Sequence, residues 1–257
     1  MARACITDEA WRDLAPVVRS LTTRGPKGQN DRRFLEAVAW VLRTGAPWRD
    51  LPSAFGKWST VYRRFRRWAL AGRWHALRNA MRSHAEGSAW FLIDSSIVKA
   101  HGHAAGASHR CGGQAGQALG RSRGGFSTKI HALVSTAGHL TRWLLTGGQV
   151  NDITQAKALT EGLSTRGVVG DRAYDSDAFV AELEGRGIAA VIPPRAGRRH
   201  PRRLDAARYG ERNVIERLFG RLKQYRRVAT RYDKTVASYD GALAGAALLV
   251  ELSRWRP

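Results

Sequence analysis

The spacing of apolar residues changes near residue 88, and this change constrains the fold more than any other feature of the sequence. Before residue 88, apolar side chains recur every three or four residues, as Val61, Phe65 and Trp68 do, which is typical of amphipathic helices. After it, short apolar runs such as FLID and VVGD have the length and composition of buried strands. The sequence therefore predicts an all-helical domain over residues 1–88 and an α/β domain over residues 89–257, built on a mixed β-sheet with flanking helices.

The N-terminal domain is predicted to contain three helices with N-caps at Thr7, Asp31 and Ser59. Gly45 is expected to end the second helix. A helix, a short connection and a basic helix follow one another as in a helix-turn-helix DNA reader. The alternative is a structural helix whose arginines are merely solvated.

The second domain is predicted to run in the order three strands, helix, strand, helix, strand, helix. Its first strand is expected to end near Asp94, and Asp152 is placed near the cap of the first helix of this domain. A glycine-rich loop over residues 102–125 is expected to be mobile in the free protein. Residues 206–227 are predicted to form one helix, and residues 235–255 a final amphipathic helix.

Positive charge is concentrated in two zones of the chain. The 43 Lys and Arg exceed the 21 Asp and Glu, giving a net charge of +22. Residues 1–88 hold 17 basic and 7 acidic side chains, and residues 195–234 hold 14 and 4. This pattern is typical of a protein that binds a polyanion at two places. The alternative, an arginine-rich proteome, would explain the excess of basic residues but not their clustering. The side chains expected to contact DNA are Lys57, Arg63, Arg64, Arg66, Arg67, Arg121, Arg123, Arg226 and Arg227.

Several classes of protein are excluded by composition. Two cysteines, Cys5 and Cys111, cannot form a disulfide framework or a cysteine-based zinc finger. The N-terminus has no apolar run of signal-peptide length. The longest apolar run, Ala242 to Val250, is far shorter than the roughly 20 residues of a membrane span. We therefore expect a cytoplasmic protein without a membrane partner.

Three acidic residues are candidates for a metal site. Asp94 and Asp171 each follow an apolar run, at the strand end where α/β proteins place their sites. Glu216 lies in the basic segment YGERNVIERLFGRLKQYRR. Converging carboxylates repel one another unless cations lie between them, and oxygen ligands of this kind suit Mg²⁺ or Mn²⁺. The alternative is that each acid is an ordinary salt-bridge partner of a nearby arginine.

The spacing around Glu216 adds a further pattern. In a continuous helix, Tyr209, Arg212, Glu216 and Lys223 fall within about 60° of one another. These four residues fit Y-x2-R-x3-E-x6-K, the signature of DDE transposases of the insertion-sequence five family.

The resemblance to this family extends over most of the chain. FLIDSSIVKAHGHAAGA and GDRAYDSDAF are similar to its two aspartate regions, and ALGRSRGGFSTKIHALV to the strand after the first. FLEAVAWVLRTGAPWRDLP and GKWSTVYRRFRRW are similar to its helical DNA-binding segment.

The resemblance implies a ribonuclease-H-like catalytic fold and a metal-binding triad of Asp94, Asp171 and Glu216. It implies that the triad holds two Mg²⁺ or Mn²⁺ ions, with Tyr209, Arg212 and Lys223 supporting the DNA strand or the glutamate. The expected activity is that of a bacterial, nucleoid-associated DNA transposase. Such an enzyme binds the terminal inverted repeats of its element, cleaves at the ends, and joins the 3′-hydroxyl to target DNA. A homodimer or larger homo-oligomer is expected on double-stranded DNA.

Other readings of the same residues are a related metal-dependent nuclease and a DNA-binding relative without catalytic activity. Ser95, Ser96 and Tyr174 are possible nucleophiles, for which a structural role is the more common explanation. His101, His103, His109 and Cys111 are candidate zinc ligands, but their spacing fits no standard zinc pattern. We expect the basic groups of the glycine-rich loop to order on DNA.

Overall fold

The computed structural model describes residues 6–21, 30–82, 88–106 and 112–253. The helices are α1 (Asp8–Leu21), α2 (Asp31–Thr44), α3 (Trp58–Leu70), α4 (Arg73–Arg82), α5 (Gly113–Gly116), α6 (Ile153–Thr160), α7 (Asp177–Gly185), α8 (Ala206–Gly210), α9 (Asn213–Lys223), α10 (Arg226–Ala229) and α11 (Val236–Ser253). The strands are β1 (Trp90–Ala100), β2 (Gly120–Ser122), β3 (Gly125–Ser135), β4 (Leu140–Gly147), β5 (Gly167–Gly170), β6 (Ala189–Val191) and β7 (Thr230–Arg231).

The chain divides into two compact units. The first comprises residues 1–86, 100–108 and 221–257, and the second comprises residues 87–99 and 109–220. The predicted boundary at residue 88 adjoins residues 83–87, which lie outside the described part of the chain. The first unit thus contains the predicted helical segment and, in addition, the last helices of the chain.

The ends of the N-terminal helices follow local rules in part. The Thr7 hydroxyl accepts the Ala10 N–H at 3.2 Å, so the predicted cap of α1 is present. Gly45 ends α2 in the left-handed conformation, with φ of 70°, as predicted. The predicted caps at Asp31 and Ser59 are wrong, because both residues lie inside their helices.

Asp31 is withdrawn from capping by an ion pair. Its carboxylate is buried and bonds the Arg64 guanidinium, which also lies over the rings of Phe34 and Trp68. A charge-assisted bond to a planar guanidinium is stronger than a neutral capping bond. Tertiary pairing therefore overrides the local cap preference at this position.

The core of the first unit is rich in aromatic residues. Five aromatic rings contact one another here, with centroid separations of 5.1 to 5.9 Å. They belong to Phe34, Trp48, Phe65, Trp68 and Trp74. Val61, Phe65 and Trp68 are all buried, as the helical spacing predicts. These rings form one cluster to which α2, α3 and α4 contribute.

Helix α11 is the central apolar element of this unit. It contacts α2, α3 and α4, and its buried residues lie on every side of the helix. The predicted amphipathic pattern is therefore wrong, because neighbouring helices surround α11. By length and composition α11 could also span a membrane, but 78% of it is buried within the protein, as in a core helix.

Close packing of α11 requires glycine at position 241. A Cβ there would lie 2.8 Å from Ala69 Cβ and 3.1 Å from Trp74 Cδ1, distances too short for an ordinary contact. The small side chain of Ala69 and the edge of Trp74 thus approach the α11 backbone directly.

We predict that Gly241→Ala lowers the free energy of unfolding by about 1–3 kcal/mol, because the added methyl overpacks the core. Helix propensity alone predicts the opposite sign. Gly220→Ala in α9 is the matched control: a Cβ there meets nothing within 4 Å. It should raise stability by about 0.5–1 kcal/mol. Urea denaturation of the two variants checks this, and a stabilising Gly241→Ala would contradict it.

The second unit is built on a mixed sheet. Its strands lie in the order β2-β3-β1-β5-β6, and β4 pairs with β3. The pairs β1–β3, β2–β3 and β3–β4 are antiparallel, whereas β1–β5 and β5–β6 are parallel. Tyr174, Leu159 and Leu183 pack with Ile93 and Leu133 in a fully buried cluster on one face. The expected mixed α/β architecture is confirmed.

Three predicted elements of this unit are wrong in their limits. β1 does not end near Asp94 but continues to Ala100, because β3 pairs with it as far as Lys99 and Ser127. The described part of the glycine-rich segment contains α5 and β2, and Leu119 is buried. Residues 206–227 form three helices rather than one, with a break at residues 211–212.

The arginine-rich segment 195–202 is held against the start of α7. Arg198 and Arg202 bond the buried Asp175 carboxylate at 2.8 and 2.5 Å, and the Arg195 N–H donates to it at 2.8 Å. Although burial opposes ionisation, these donors hold the pKa of Asp175 below its ordinary value. Part of this positive charge is therefore neutralised within the unit.

We predict that Asp175→Asn lowers the free energy of unfolding at pH 7 by about 3 kcal/mol, because two guanidinium groups lose a buried partner. Since the folded pKa is depressed, wild type should lose this contribution as the pH falls below about 4, and the variant should lack that loss. Asp177→Asn is the control, because its side chain is 83% exposed and binds the same arginines. Thermal unfolding between pH 3 and pH 7 should show a much smaller effect of the control.

Candidate active site

The two aspartates are brought together by the register of β1 and β5. Their parallel pairing runs from Trp90 and Gly167 to Ile93 and Gly170. Asp94 and Asp171 are the next residues on the two strands, at the point where the pairing ends. Strand alternation directs their side chains to the same face, away from Ile93. The sheet thus places two carboxylates side by side.

Each carboxylate is oriented by a neighbouring backbone N–H. Ser95 N–H donates to Asp94 Oδ1 at 2.7 Å, and Ala173 N–H donates to Asp171 Oδ1 at 2.9 Å. The second bond caps the short 3₁₀ turn that follows β5. In both residues the remaining oxygen is left for another partner.

Asp94 is in an unfavourable place for a negative charge. Burial raises the pKa of Asp94 to about 6, and the charges of Asp171 and Asp152 add to the rise. The Ser95 N–H and the Arg212 guanidinium oppose it. A half-buried pair of carboxylates at this point therefore favours a bound cation.

Arg212 links Asp94 to Glu216. One of its nitrogens, Nη2, lies 3.6 Å from Asp94 Oδ2 and 2.6 Å from Glu216 Oε1. Burial alone would lower the pKa of Arg212, but Asp94, Tyr209 and Glu216 raise it. The positive charge next to Asp94 is thus supplied by the Arg212 side chain.

The break between α8 and α9 produces this arrangement. Arg212 N–H donates to Tyr209 O, and Ile215 N–H donates to Arg212 O, so the backbone tightens at residues 211–212. Ile215 and Leu218 are buried, which leaves Glu216 on the exposed side of α9. An open cleft of about 500 Å³ is lined by Asp171, Arg172, Tyr209, Gly210, Arg212, Asn213 and Glu216.

The donor set fits a hard divalent cation in part. Asp94 and Asp171 offer carboxylate oxygens, the ligands that Mg²⁺ and Mn²⁺ prefer. Within the described part of the chain, no three His, Cys, Asp or Glu side chains are grouped closely enough to form a ready metal site. Glu216 is 55% exposed, and its carboxylate contacts the Arg212 guanidinium, which also lies 3.6 Å from Asp94.

The other predicted site residues lie at different depths. Tyr209 is half-buried in the cleft, whereas Lys223 is exposed on the last turn of α9, in the first unit. Tyr174 is fully buried, and its hydroxyl has no hydrogen-bond partner among the described residues. Burial also raises the pKa of Tyr174 well above its ordinary value, so this phenol is a poor nucleophile.

Two further alternatives can be located. The Ser95 hydroxyl donates to Asp152, and Ser96 is half-buried on β1. Of the candidate zinc ligands, His101 and His103 meet edge to face with their ring centroids 4.5 Å apart, whereas His109 and Cys111 lie outside the described residues.

A polar cluster behind β1 was not identified from the sequence. The Asp152 carboxylate accepts the Ser95 hydroxyl at 2.8 Å and the Lys129 ammonium at 2.9 Å, and His131 lies nearby. Lys129 and His131 both lie in the buried part of strand β3. Polar residues within a buried strand were the signal that could have revealed this cluster.

The basic side chains expected to contact DNA fall into two groups. Arg64 is engaged by Asp31, and Arg227 is buried against Asp233 and the ring of Tyr232. The remaining residues of the expected set are exposed, namely Lys57, Arg63, Arg66, Arg67, Arg121, Arg123 and Arg226. Their contact with DNA stays a prediction, and the exposed group is better placed for it than Arg64 and Arg227.

Comparison with known proteins gives two family matches. Residues 87–249 match the family described as "Transposase DDE domain", and residues 6–78 match "Putative transposase of IS4/5 family". The first match alone covers more than half of the chain.

Individual relatives agree with these matches. A putative transposase for the insertion sequence element IS6501 of Brucella ovis is 37% identical over 132 residues, which cover 49% of this chain and 99% of that protein. An uncharacterised protein of Sinorhizobium fredii is 39% identical over 111 residues, 42% of this chain and 87% of that protein.

A structural likeness to the piggyBac transposase, in a synaptic complex with hairpin DNA, is weaker. It has a TM-score of 0.41 and 14% identity, and covers 76% of this chain and 50% of that one. A likeness of this size does not by itself establish a shared fold.

The chain belongs to the DDE transposases. Its N-terminal match is to the IS4/5 group, which confirms the resemblance to the insertion-sequence five family. The ribonuclease-H-like fold class, with a helical N-terminal region, agrees with this membership and with the observed sheet. Dependence on a divalent metal follows for the family in general.

We predict that two substitutions shift the pKa of Asp94 from about 6 in opposite directions. Arg212→Gln should raise it, because a positive charge that favours the carboxylate is lost. Asp171→Asn should lower it, because a repelling negative charge is lost. Carboxyl ¹³C NMR of the metal-free protein across pH 4–8 measures both shifts, and shifts of the same sign would contradict the arrangement.

Proposed function

We propose that this transposase binds the terminal inverted repeats of its own insertion sequence, cleaves at the element ends and joins the freed 3′-hydroxyl to target DNA. The observation that carries the proposal is the register of β1 and β5, which sets Asp94 beside Asp171 within reach of the cleft that contains Glu216. A DNA strand laid in that cleft would bring a phosphodiester to the carboxylates.

Asp94, Asp171 and Glu216 are the residues that would hold two Mg²⁺ or Mn²⁺ ions, which supply activation of an attacking oxygen and stabilisation of a leaving one. The chain's own groups have separate tasks. The backbone N–H groups of Ser95 and Ala173 keep the two aspartates in fixed orientations. Preorganised ligands lower the cost of reaching the reactive geometry.

Arg212 is proposed to change partners during the reaction. In the free protein its guanidinium is shared between Asp94 and Glu216. Guanidinium groups bind phosphate oxygens in a bidentate manner, so the DNA backbone competes for Arg212. Its transfer to a phosphate frees both carboxylates and holds the strand over them. Tyr209, on the same cleft wall, is proposed to support that strand.

The exposed basic residues of α3 and the β2–β3 turn are proposed to hold double-stranded DNA outside the cleft. Arg63, Arg66 and Arg67 cover one exposed side of α3, and Arg121 and Arg123 lie at the turn. Because two element ends must be joined to one target, we propose a homodimer or larger homo-oligomer on DNA. The proposed location is the bacterial cytoplasm, at the nucleoid.

We predict that purified protein cleaves labelled duplexes carrying the two flanks of its own element when Mg²⁺ or Mn²⁺ is present. Asp94→Asn, Asp171→Asn and Glu216→Gln should each reduce the cleavage rate by at least about 100-fold, because each removes a charged metal ligand. DNA binding by gel shift should be retained. Asp177→Asn is a control with an exposed carboxylate outside the cleft.

Two outcomes would favour the other readings. Metal-dependent nicking without joined products, using 3′-hydroxyl ends and a supercoiled target, would indicate a nuclease. DNA binding without cleavage by wild type would indicate a regulator whose site is inactive. Equal cleavage by wild type and Glu216→Gln would remove Glu216 from the site.

A further inference from the structure

Asp152 occupies the N-cap position of α6, but its side chain does not cap the helix. It precedes α6, and its side chain makes no hydrogen bond to the start of that helix. Its carboxylate instead accepts the Ser95 hydroxyl at 2.8 Å and the Lys129 ammonium at 2.9 Å. A short acidic side chain at this position ordinarily bonds the helix backbone. The role of Asp152 is therefore something other than helix capping.

The loop before α6 is shaped to deliver Asp152 to the sheet. Gly148 N–H donates to Ser127 O on β3, and a Cβ at Gly148 would lie 2.1 Å from the Ser127 hydroxyl. Only glycine allows this approach. Lys129 also donates to Val150 O at 2.6 Å, so one ammonium fixes both the loop and the carboxylate. The position of Asp152 is thus set from two sides.

The charge of Asp152 is balanced by Lys129 rather than by His131. His131 lies opposite Ser95 in the β1–β3 register and is fully buried. Its Nδ1 is 3.7 Å from Asp152, and its Nε2 is 2.8 Å from the Thr146 hydroxyl. Burial lowers the pKa of His131 to about 4, so the ring is neutral at pH 7. The ion pair that remains is the one with Lys129.

Ser95 connects this cluster to the site. Its hydroxyl points to the face of β1 that carries Asp152, and its N–H donates to Asp94 Oδ1 at 2.7 Å. Beyond Ile93, β1 no longer has β5 as a partner on that edge, so the peptide of Ser95 lacks the support of a parallel strand. The hydrogen bond from the Ser95 hydroxyl to the Asp152 carboxylate holds Ser95 instead, on the face opposite Asp94.

We propose, resting on the function proposed above, that Asp152 is a positioning residue: through Ser95 it fixes the segment of β1 that presents the Asp94 carboxylate. The Lys129 ammonium bonds the Asp152 carboxylate and Val150 O, and so holds Asp152 in place. Asp152 does not touch the substrate. Residues that orient metal ligands in this way affect metal affinity and rate.

The test compares Ser95→Ala, Ser95→Thr, Asp152→Ala and the double variant Ser95→Ala/Asp152→Ala with wild type. Ser176→Ala is the matched control, because Ser176 precedes α7 and makes no capping bond. Three quantities are measured: single-turnover cleavage rate at saturating DNA, affinity for Mn²⁺ by electron paramagnetic resonance, and the thermal unfolding midpoint.

Ser95→Ala and Asp152→Ala are each expected to lower the rate and weaken Mn²⁺ binding about 10–100-fold, with the apparent affinity for DNA unchanged. The double variant should be no worse than Asp152→Ala, because both changes remove the same link. Ser95→Thr keeps the hydroxyl and should restore both quantities. Asp152→Ala also leaves Lys129 unpaired and lowers the unfolding midpoint, whereas Ser95→Ala should leave that midpoint close to the wild-type value.

If Asp152 only stabilises the fold, Ser95→Ala should cleave DNA and bind Mn²⁺ as wild type does. This result would overturn the proposal. Equal defects in Ser95→Thr and Ser95→Ala would also overturn it. If wild type itself did not cleave element ends, the proposed function would fail. The comparison of Mn²⁺ affinity between Ser95→Ala and Ser95→Thr would still decide the role of Asp152.

Discussion

The site depends on the short parallel pairing between β1 and β5. Four residue pairs hold the strands together, and the pairing stops one residue before Asp94 and Asp171. A slip of one residue would turn one aspartate to the opposite face, since side chains alternate along a strand. The apolar cluster around Ile93, Leu133 and Val168 on the other face opposes such a slip, because the slip would remove these side chains from their packing. Burial on one face thus specifies the chemistry on the other.

Charge has two different uses in this protein. Arg64, Arg198, Arg202 and Arg227 pair with carboxylates inside their own units and stabilise the structure. Arg212 pairs with residues of the site and is partly exposed, so its partners can be exchanged. The count of 43 Lys and Arg therefore overstates the number of cationic side chains available to a polyanion. Whether an arginine stabilises the fold or stays available to a ligand depends on whether a carboxylate lies next to it in the folded chain.

The sequence predicted those features that depend on local pattern. The strand β5 and the end of α2 at Gly45 follow from an apolar run and a glycine. The limits that were wrong depend on distant partners. Pairing with β3 extends β1 past Asp94, Arg64 draws Asp31 away from capping, and neighbouring helices bury every side of α11.

The candidate site shows the same division. Asp94 and Asp171 were predictable because each ends an apolar run, and the family resemblance added Glu216. The resemblance implied that Arg212 supports the DNA strand or Glu216, but the approach of Arg212 to Asp94 was not predicted. Asp152 resembled an ordinary cap in the sequence. Only the approach of its loop to β3 gives it Ser95 and Lys129 as partners.

The central position of α11 has a consequence for synthesis of the protein. The first unit takes its earliest helices from the start of the chain and its innermost helix from residues 236–253. Chains leave the ribosome from the N-terminus, so α1 to α4 emerge long before the helix that completes their core. During that interval Trp74 and Leu42, which line the glycines of α11, lack their partner. The second unit lies wholly within the intervening sequence and can fold first, so the order of folding need not follow the order of the sequence.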